Sequence, residues 1–178
     1  MSSIRLVGLT SIKIGAITAD KSMGAGASIV TVNAIVPDSA HLIIEEPGMT
    51  DLFIEESDLP DIQILGTSKK SMEFATRDLG TGILVEAFGG TYTPVCGATL
   101  GYWSAPVTAA VIKESCIEAI SKTINGKYLK LAMPRVSVKT GGDLRFSKTE
   151  SGQITFKCDV LIPASSTQIA PIRITETV

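Results

Sequence analysis

The chain has a single histidine, His41, and three cysteines, Cys96, Cys116 and Cys158, none at metal-ligand spacing. No Cys-x-x-Cys pair occurs, which excludes the usual structural zinc frameworks. An odd cysteine count in a reducing compartment points to free thiols. A Ser/His or Cys/His catalytic pair would have to use His41, and no Gly-x-Ser-x-Gly elbow accompanies it. A Walker-type phosphate loop is missing too, since Gly24-x-Gly26 and Gly80-x-Gly82 lack the rest of the pattern.

Long apolar runs are also lacking. No stretch approaches the roughly 18 residues of a spanning helix. Met1 to Arg5 carry neither the apolar core nor the small-residue cleavage site of a signal peptide. The expectation is a cytosolic product without membrane contact. Aromatics are few, at five Phe, three Tyr and one Trp. A carbohydrate-binding face or a base-stacking platform needs them clustered and exposed. Only Tyr128 lies among the basic residues Lys122, Lys127, Lys130, Arg135 and Lys139, so that run reads as a solvated face. Tyr102-Trp103 reads as a packing anchor. The net charge of −2 gives no excess with which to hold a polyanion.

What the chain does have is apolar content. Of its 178 residues 44% are hydrophobic, and mean hydropathy is +0.31. With no membrane segment, those residues belong in a core, some of them between subunits. The length suits one domain with a sizeable core. Charge is uneven: residues 1–103 carry 12 acids and 6 bases, and residues 104–178 carry 6 acids and 10 bases. Opposite-signed halves complement one another between copies of a ring or stack, or else reflect scatter in surface composition.

Most of the pattern is β. Ser3 to Thr18 alternates loosely, and Lys21 to Ala27 is a small, Gly-rich loop. Ser28 to Val36 is a β-branched strand broken by Pro37-Asp38-Ser39. His41 to Glu46, Ile62 to Leu65 and Ser71 to Thr76 read as further strands. Asp78 to Gly90 is the one convincing helix, with Asp78 as N-cap, Ile83, Leu84, Ala87 and Phe88 on one face, and Gly89-Gly90 as its stop. Gly80 and Gly82 favour a late start. Thr91 to Pro106 is turn-rich, and Val107 to Ile124 holds one long strand or two. Asn125-Gly126 predicts a two-residue type I′ turn, placing Ile120 opposite Leu131 and Thr123 opposite Tyr128. Tyr128 to Met133 returns, Pro134 interrupts, Val136 and Val138 alternate, and Gly141-Gly142 turns the chain before Leu144 and Phe146. Ile154, Phe156, Cys158, Val160 and Ile162 give the cleanest period-two run, and Pro171 to Thr175 is a last short strand.

The acidic segment stands apart. Glu45 to Asp61 holds seven acids and no base. It reads as a hairpin or long loop, inserted at about residues 37–61, with Leu52, Phe53 and Ile54 at its tip. Glu45-Glu46 and Glu55-Glu56 are adjacent pairs that point to opposite faces of a strand, so neither converges on one atom. Oxygen ligands are dense between Asp51 and Asp61, but EF-hand spacing is missing. No catalytic, cofactor-binding or metal residue is assigned. The segment is either an ordinary solvated hairpin or an arm that reaches a neighbouring subunit, because exposed Leu-Phe-Ile is otherwise a liability.

The order of these pieces resembles the tail tube proteins of long-tailed bacteriophages. The resemblance covers roughly Ile62 to Pro163. It is carried by Ser71–Thr76, Leu84–Thr91, Trp103–Pro106, Ile124–Val138 and Ile154–Pro163. It implies a mainly β fold, a β-sandwich or small barrel with one flanking helix, spanning residues 1–178 as a single ring-forming tail-tube domain. It implies homo-hexameric rings that stack into a tube, with tape-measure protein in the lumen, terminator and baseplate or tip proteins at the ends, and a sheath where the tail contracts. The tube, assembled in the host cytoplasm, conducts double-stranded DNA from capsid to host without sequence-specific binding. The tubes of contractile injection machines and type VI secretion systems share the fold. A stacking contact would then fall at Glu45, Glu46, Leu52, Phe53, Ile54, Glu55 and Glu56. The competing readings are another virion β-sandwich, such as a tail terminator or capsid decoration protein, and a ligand-binding β-sandwich module.

Overall fold

Alternating sequence becomes strand wherever one face can be buried, and that rule accounts for most of this chain. The computed structural model describes residues 8–17, 29–52, 62–95, 101–107, 112–146, 151–163 and 170–177. In chain order they form β1 (Leu9–Ala16), β2 (Ile29–Val32), β3 (His41–Ile44), β4 (Met49–Leu52), β5 (Ile62–Leu65), β6 (Lys70–Thr76), α1 (Thr81–Phe88), β7 (Thr91–Pro94), β8 (Gly101–Ser104), β9 (Lys113–Ser121), β10 (Tyr128–Phe146), β11 (Ser151–Val160) and β12 (Arg173–Thr177). The fold is mainly β with one short helix, consistent with a β-sandwich. The Gly-rich segment Lys21–Ala27 lies outside the described residues.

Eight strands form one antiparallel sheet, in the order β2-β1-β9-β10-β11-β6-β3, with β12 also paired to β10. The sheet is rolled. β1 and β6 stand four strands apart, about 19 Å at roughly 4.8 Å per step. Yet Ile12 and Ile14 of β1 share one buried cluster with Met72 and Phe74 of β6. The connection after β2 shows how. Thr76 Oγ1 donates to the Asn33 carbonyl at 2.6 Å, Arg77 N–H donates to Ala34, and Ile35 bridges to Thr76. Three residues past β2 the chain is therefore already on the far strand, and the two ends of the sheet meet.

The long strand β10 has three partners. Its first part pairs with β12 and its later part with β11, both along the same edge, while β9 runs along the other. Pro134 does not interrupt it, contrary to the sequence expectation. The register against β9 shifts between Met133 and Val136, and proline is tolerated at such a bulge because no ladder hydrogen bond is required of it. Gly141-Gly142 does not turn the chain either. Both glycines stay in the ladder, opposite Thr155 and Ile154, and a Cβ on Gly142 would sit 2.8 Å from the ring of Phe88. The glycine is there for close helix packing.

The Asn125-Gly126 turn forms as expected, with φ of +52° and +78° and an Ile124–Lys127 bridge. The register beyond it differs. Ile120 pairs with Lys130, and Leu131 pairs with Ala119, one residue away from the predicted alignment. Ser121 Oγ accepts the Leu129 N–H at 2.9 Å, so a side chain absorbs the extra residue. A one-residue slip exchanges faces, which here brings Ala119 and Leu131 inward.

Helix α1 starts late, at Thr81, behind Gly80. Asp78 is not its N-cap. Its carboxylate instead accepts the N–H groups of Gly80 and Asn33, fixing the approach to the helix. Ile83 is buried in the core cluster, with Leu84, Ala87 and Phe88 packed against it. Gly89 and Gly90, at φ of +73° and +84°, end the helix as expected. The turn-rich stretch after it contains the β7–β8 hairpin, in which Trp103 Nε1 donates to the Gly89 carbonyl at 2.8 Å. Phe74 and Phe156 stack at 4.8 Å in the core. Alternation in β11 holds through Cys158, but the strand ends at Val160 and Ile162 is exposed.

Candidate assembly surfaces

Three surfaces stand out: a projecting ribbon, a cavity and a charged outer face. The ribbon is β4 and β5. The β3–β6 ladder continues into it through Glu45 N–H to Lys69 O and Gly66 N–H to Gly48 O. Met49 then pairs with Leu65, Thr50 with Ile64, Asp51 with Gln63 and Leu52 with Ile62. Every residue of both strands is exposed. Opposed residues share a face, so Thr50, Leu52, Ile62 and Ile64 lie on one side. The apolar residues Met49, Leu52, Ile62, Ile64 and Leu65 are each 45–64% exposed. An isolated two-stranded ribbon is marginally stable in water, and one displaying five large apolar side chains is unusual on a monomer.

Of the residues expected at a subunit contact, Glu45 and Glu46 are exposed on the approach to β4, and Leu52 sits on the apolar face. Phe53, Ile54, Glu55 and Glu56 lie outside the described residues. Sequence reasoning missed Ile62 and Ile64, which it assigned to a separate strand leading into β6. Their alternation was visible in Ile62-Gln63-Ile64. What it did not reveal was the partner, β4.

The cavity opens toward the Tyr128 end of β10, whereas α1 packs near Thr140 and Gly142 toward the other end. It encloses about 570 Å³. Leu9, Ile35, Leu42, Leu129, Leu131 and Ile174 give it an apolar wall, with Asp38 and His41 on its exposed rim. His41, the only imidazole, thus sits on the exposed rim of the cavity. Among the described residues no group of three or more His, Cys, Asp or Glu is placed to hold a metal ion.

The outer face of the roll carries a lattice of ion pairs. Glu118 on β9 lies 3.7 Å from Lys13 on β1 and 2.6 Å from Lys130 on β10. Arg135 bonds Glu114 through two guanidinium nitrogens. Lys139 meets Asp159 at 2.7 Å, and Lys157 meets Glu73 at 2.5 Å. Lys127 pairs with Glu176. Lys127, Lys130, Arg135 and Lys139 of the basic run are therefore engaged by carboxylates, as on a solvated face. The Asp159 carboxyl is held below the usual range by its hydrogen bond from Lys139 and by the charges of Lys139 and Lys69. Glu73 raises Lys157, and Glu114 raises Arg135. Inside, Cys158 is buried as a core residue, and desolvation pushes its thiol up to about 12. Cys116 is likewise buried, and its thiol faces the Ala16 carbonyl at 3.6 Å. Cys96 lies outside the described residues.

Neither a protein-family model nor a curated protein sequence matches this chain.

Proposed function

We propose that this protein is a structural subunit whose activity is its own assembly, in the manner of the bacteriophage tail tube proteins its sequence resembles. The carrying observation is the β4–β5 ribbon. It extends the sheet into solvent and presents Leu52, Ile62 and Ile64, all exposed, on one face that no other described element packs against. Burying those side chains against another copy would contribute about 1.5–3 kcal/mol for each one fully covered. The sheet also ends in strands that pair on one side only among the described residues: β2, β3 and β12. Such edges invite continuation by another chain, and a closed ring uses them up.

On this reading, rings of six copies stack into a tube that conducts DNA between capsid and host. The acidic ribbon is the arm between rings. The test is negative-stain electron microscopy of the purified protein at rising concentration. Hollow rods or stacked six-fold rings are expected. Rings that never stack would move the protein to a terminator-like role, and monomers at every concentration would remove the tube reading.

A further inference from the structure

The rolled sheet is filled at one end and left open at the other. At the filled end Phe74 stacks on Phe156, and the ring of Phe88 lies over Gly142. Toward the open end the buried positions of β9 become small, running from Ile117 to Ala119 and Ser121. Gly8, just before β1, and Ala40, just before β3, continue the same wall. A closed sheet of about eight strands is wide enough either for its side chains to fill it or for one small ligand. Here the small residues leave about 570 Å³, inside the range of roughly 300–1,000 Å³ that organic-ligand sites occupy.

The wall offers an entering molecule apolar contact from Leu9, Leu42, Met72, Leu129 and Leu131. Ser121 is polar but engaged, since its Oγ accepts the Leu129 N–H at 2.9 Å. Charge stands at the mouth. Besides His41, Asp38 is the only ionisable side chain among the described lining residues; the exposed bases Lys122 and Arg173 do not line the cavity. Glu73, Glu114, Glu118 and Asp159, on the sheet, are each held by a lysine or arginine. Asp38 has no such partner among the described residues. Its place is nevertheless fixed. Ser39 ties the Pro37-Asp38 turn to β6, its Oγ accepting the Ala75 N–H at 3.0 Å and donating to the Val36 carbonyl at 2.7 Å.

We propose that this cavity is a binding site for a small organic amine, whose apolar body lies against Leu9, Leu42, Leu129 and Leu131 and whose ammonium group meets Asp38 at the mouth. Positive charge is selected because an exposed, unpaired carboxylate is the one fixed charge there. The same carboxylate opposes a fatty acid. It also opposes the ribbon of a second copy, on which Glu45, Glu46 and Asp51 accompany the apolar residues. The site is independent of the self-assembly reading, because it lies within one chain and needs no neighbour.

The test is calorimetric titration of octylamine, octanol and octanoate into the dispersed full-length protein. Octylamine is expected to bind more tightly than octanoate, and Asp38→Asn to narrow that gap by about two- to fivefold while leaving octanol unchanged. Ala40→Trp, which fills the cavity from its edge at a position outside the fully buried core, should weaken all three by at least about tenfold with melting retained. Ile64→Lys, on the ribbon, should change none of them. Octanoate binding as tightly as octylamine, or no binding of any probe, would overturn the inference. So would octylamine binding that survives Ala40→Trp or is lost in Ile64→Lys, since the probe would then sit elsewhere. Binding present in dispersed chains and lost once they assemble would give the cavity to a neighbouring copy instead. Each of these outcomes leaves the tube reading to be decided by microscopy alone.

Discussion

The rolled sheet and the β4–β5 ribbon are made of similar material and use it in opposite ways. In β11, Ile154, Phe156 and Cys158 alternate with polar residues, and their faces are fully buried. In β5, Ile62 and Ile64 alternate with Gln63, and every residue is exposed. The difference lies in what stands opposite. The sheet closes on itself, because the chain after β2 is bonded to β6, so each inward face meets another inward face. Among the described residues the ribbon has only its own two strands. Burial in this protein is set by closure rather than by local hydrophobicity, and a strand pair left out of the closure is available to another molecule.

That contrast can be broken first in the core. Phe156→Ala removes a ring stacked on Phe74 and fully buried, and should cost about 3–5 kcal/mol. Urea unfolding followed by circular dichroism would read it. A loss below about 1 kcal/mol would mean that the roll is not the stabilising unit.

The outer ion pairs should count for less. Lys139 is the main cause of the lowered Asp159 pKa. A carboxyl with a depressed native pKa stabilises the fold above its unfolded value, near 3.9, and the contribution is lost as pH falls through the native value. Lys139→Met should therefore lower stability at pH 7 by up to about 1 kcal/mol. The gap between variant and parent should narrow below pH 3. A gap that widened on acidification would show that Lys139 acts through something other than Asp159.

The ribbon should matter least to the single molecule. Ile62→Lys is expected to change monomer stability by no more than about 0.5 kcal/mol, with an unchanged denaturant slope. Sedimentation velocity on the same sample should show assembly lost. A monomer destabilised as much as by Phe156→Ala would mean that the ribbon packs on its own chain.

Much of the roll was legible in the sequence, and the reasons differ by element. β11 declares itself through period two over several residues. The Asn125-Gly126 turn declares itself because few other dipeptides accept two positive φ angles. Helix α1 was visible from its apolar spacing and its closing glycines. The unbroken course of β10 was not legible, since Pro134 and Gly141-Gly142 are breakers in most settings. Here a bulge accommodates the proline, and the ring of Phe88 fills the space over Gly142. The register after the turn depends on one Ser121 hydrogen bond, which no periodicity reports. For the candidate contact, the acidic run drew attention to Glu45, Glu46 and Leu52. Ile62 and Ile64 could join them only once the pairing of β4 with β5 was known, and pairing is a property of two segments at once.

The pairing of β1 with β9 has a consequence in time. Ile14 lies opposite Ile117, so the first strand waits for a partner about 100 residues further along the chain. At a synthesis rate of roughly 5–20 residues per second, that wait lasts about 5–20 seconds on the ribosome. Until β9 emerges, β1 lacks its second ladder partner, and the roll cannot shut. The ribbon, by contrast, is complete as soon as β5 has been made. A nascent chain thus holds its apolar ribbon well before the sheet that carries it can close.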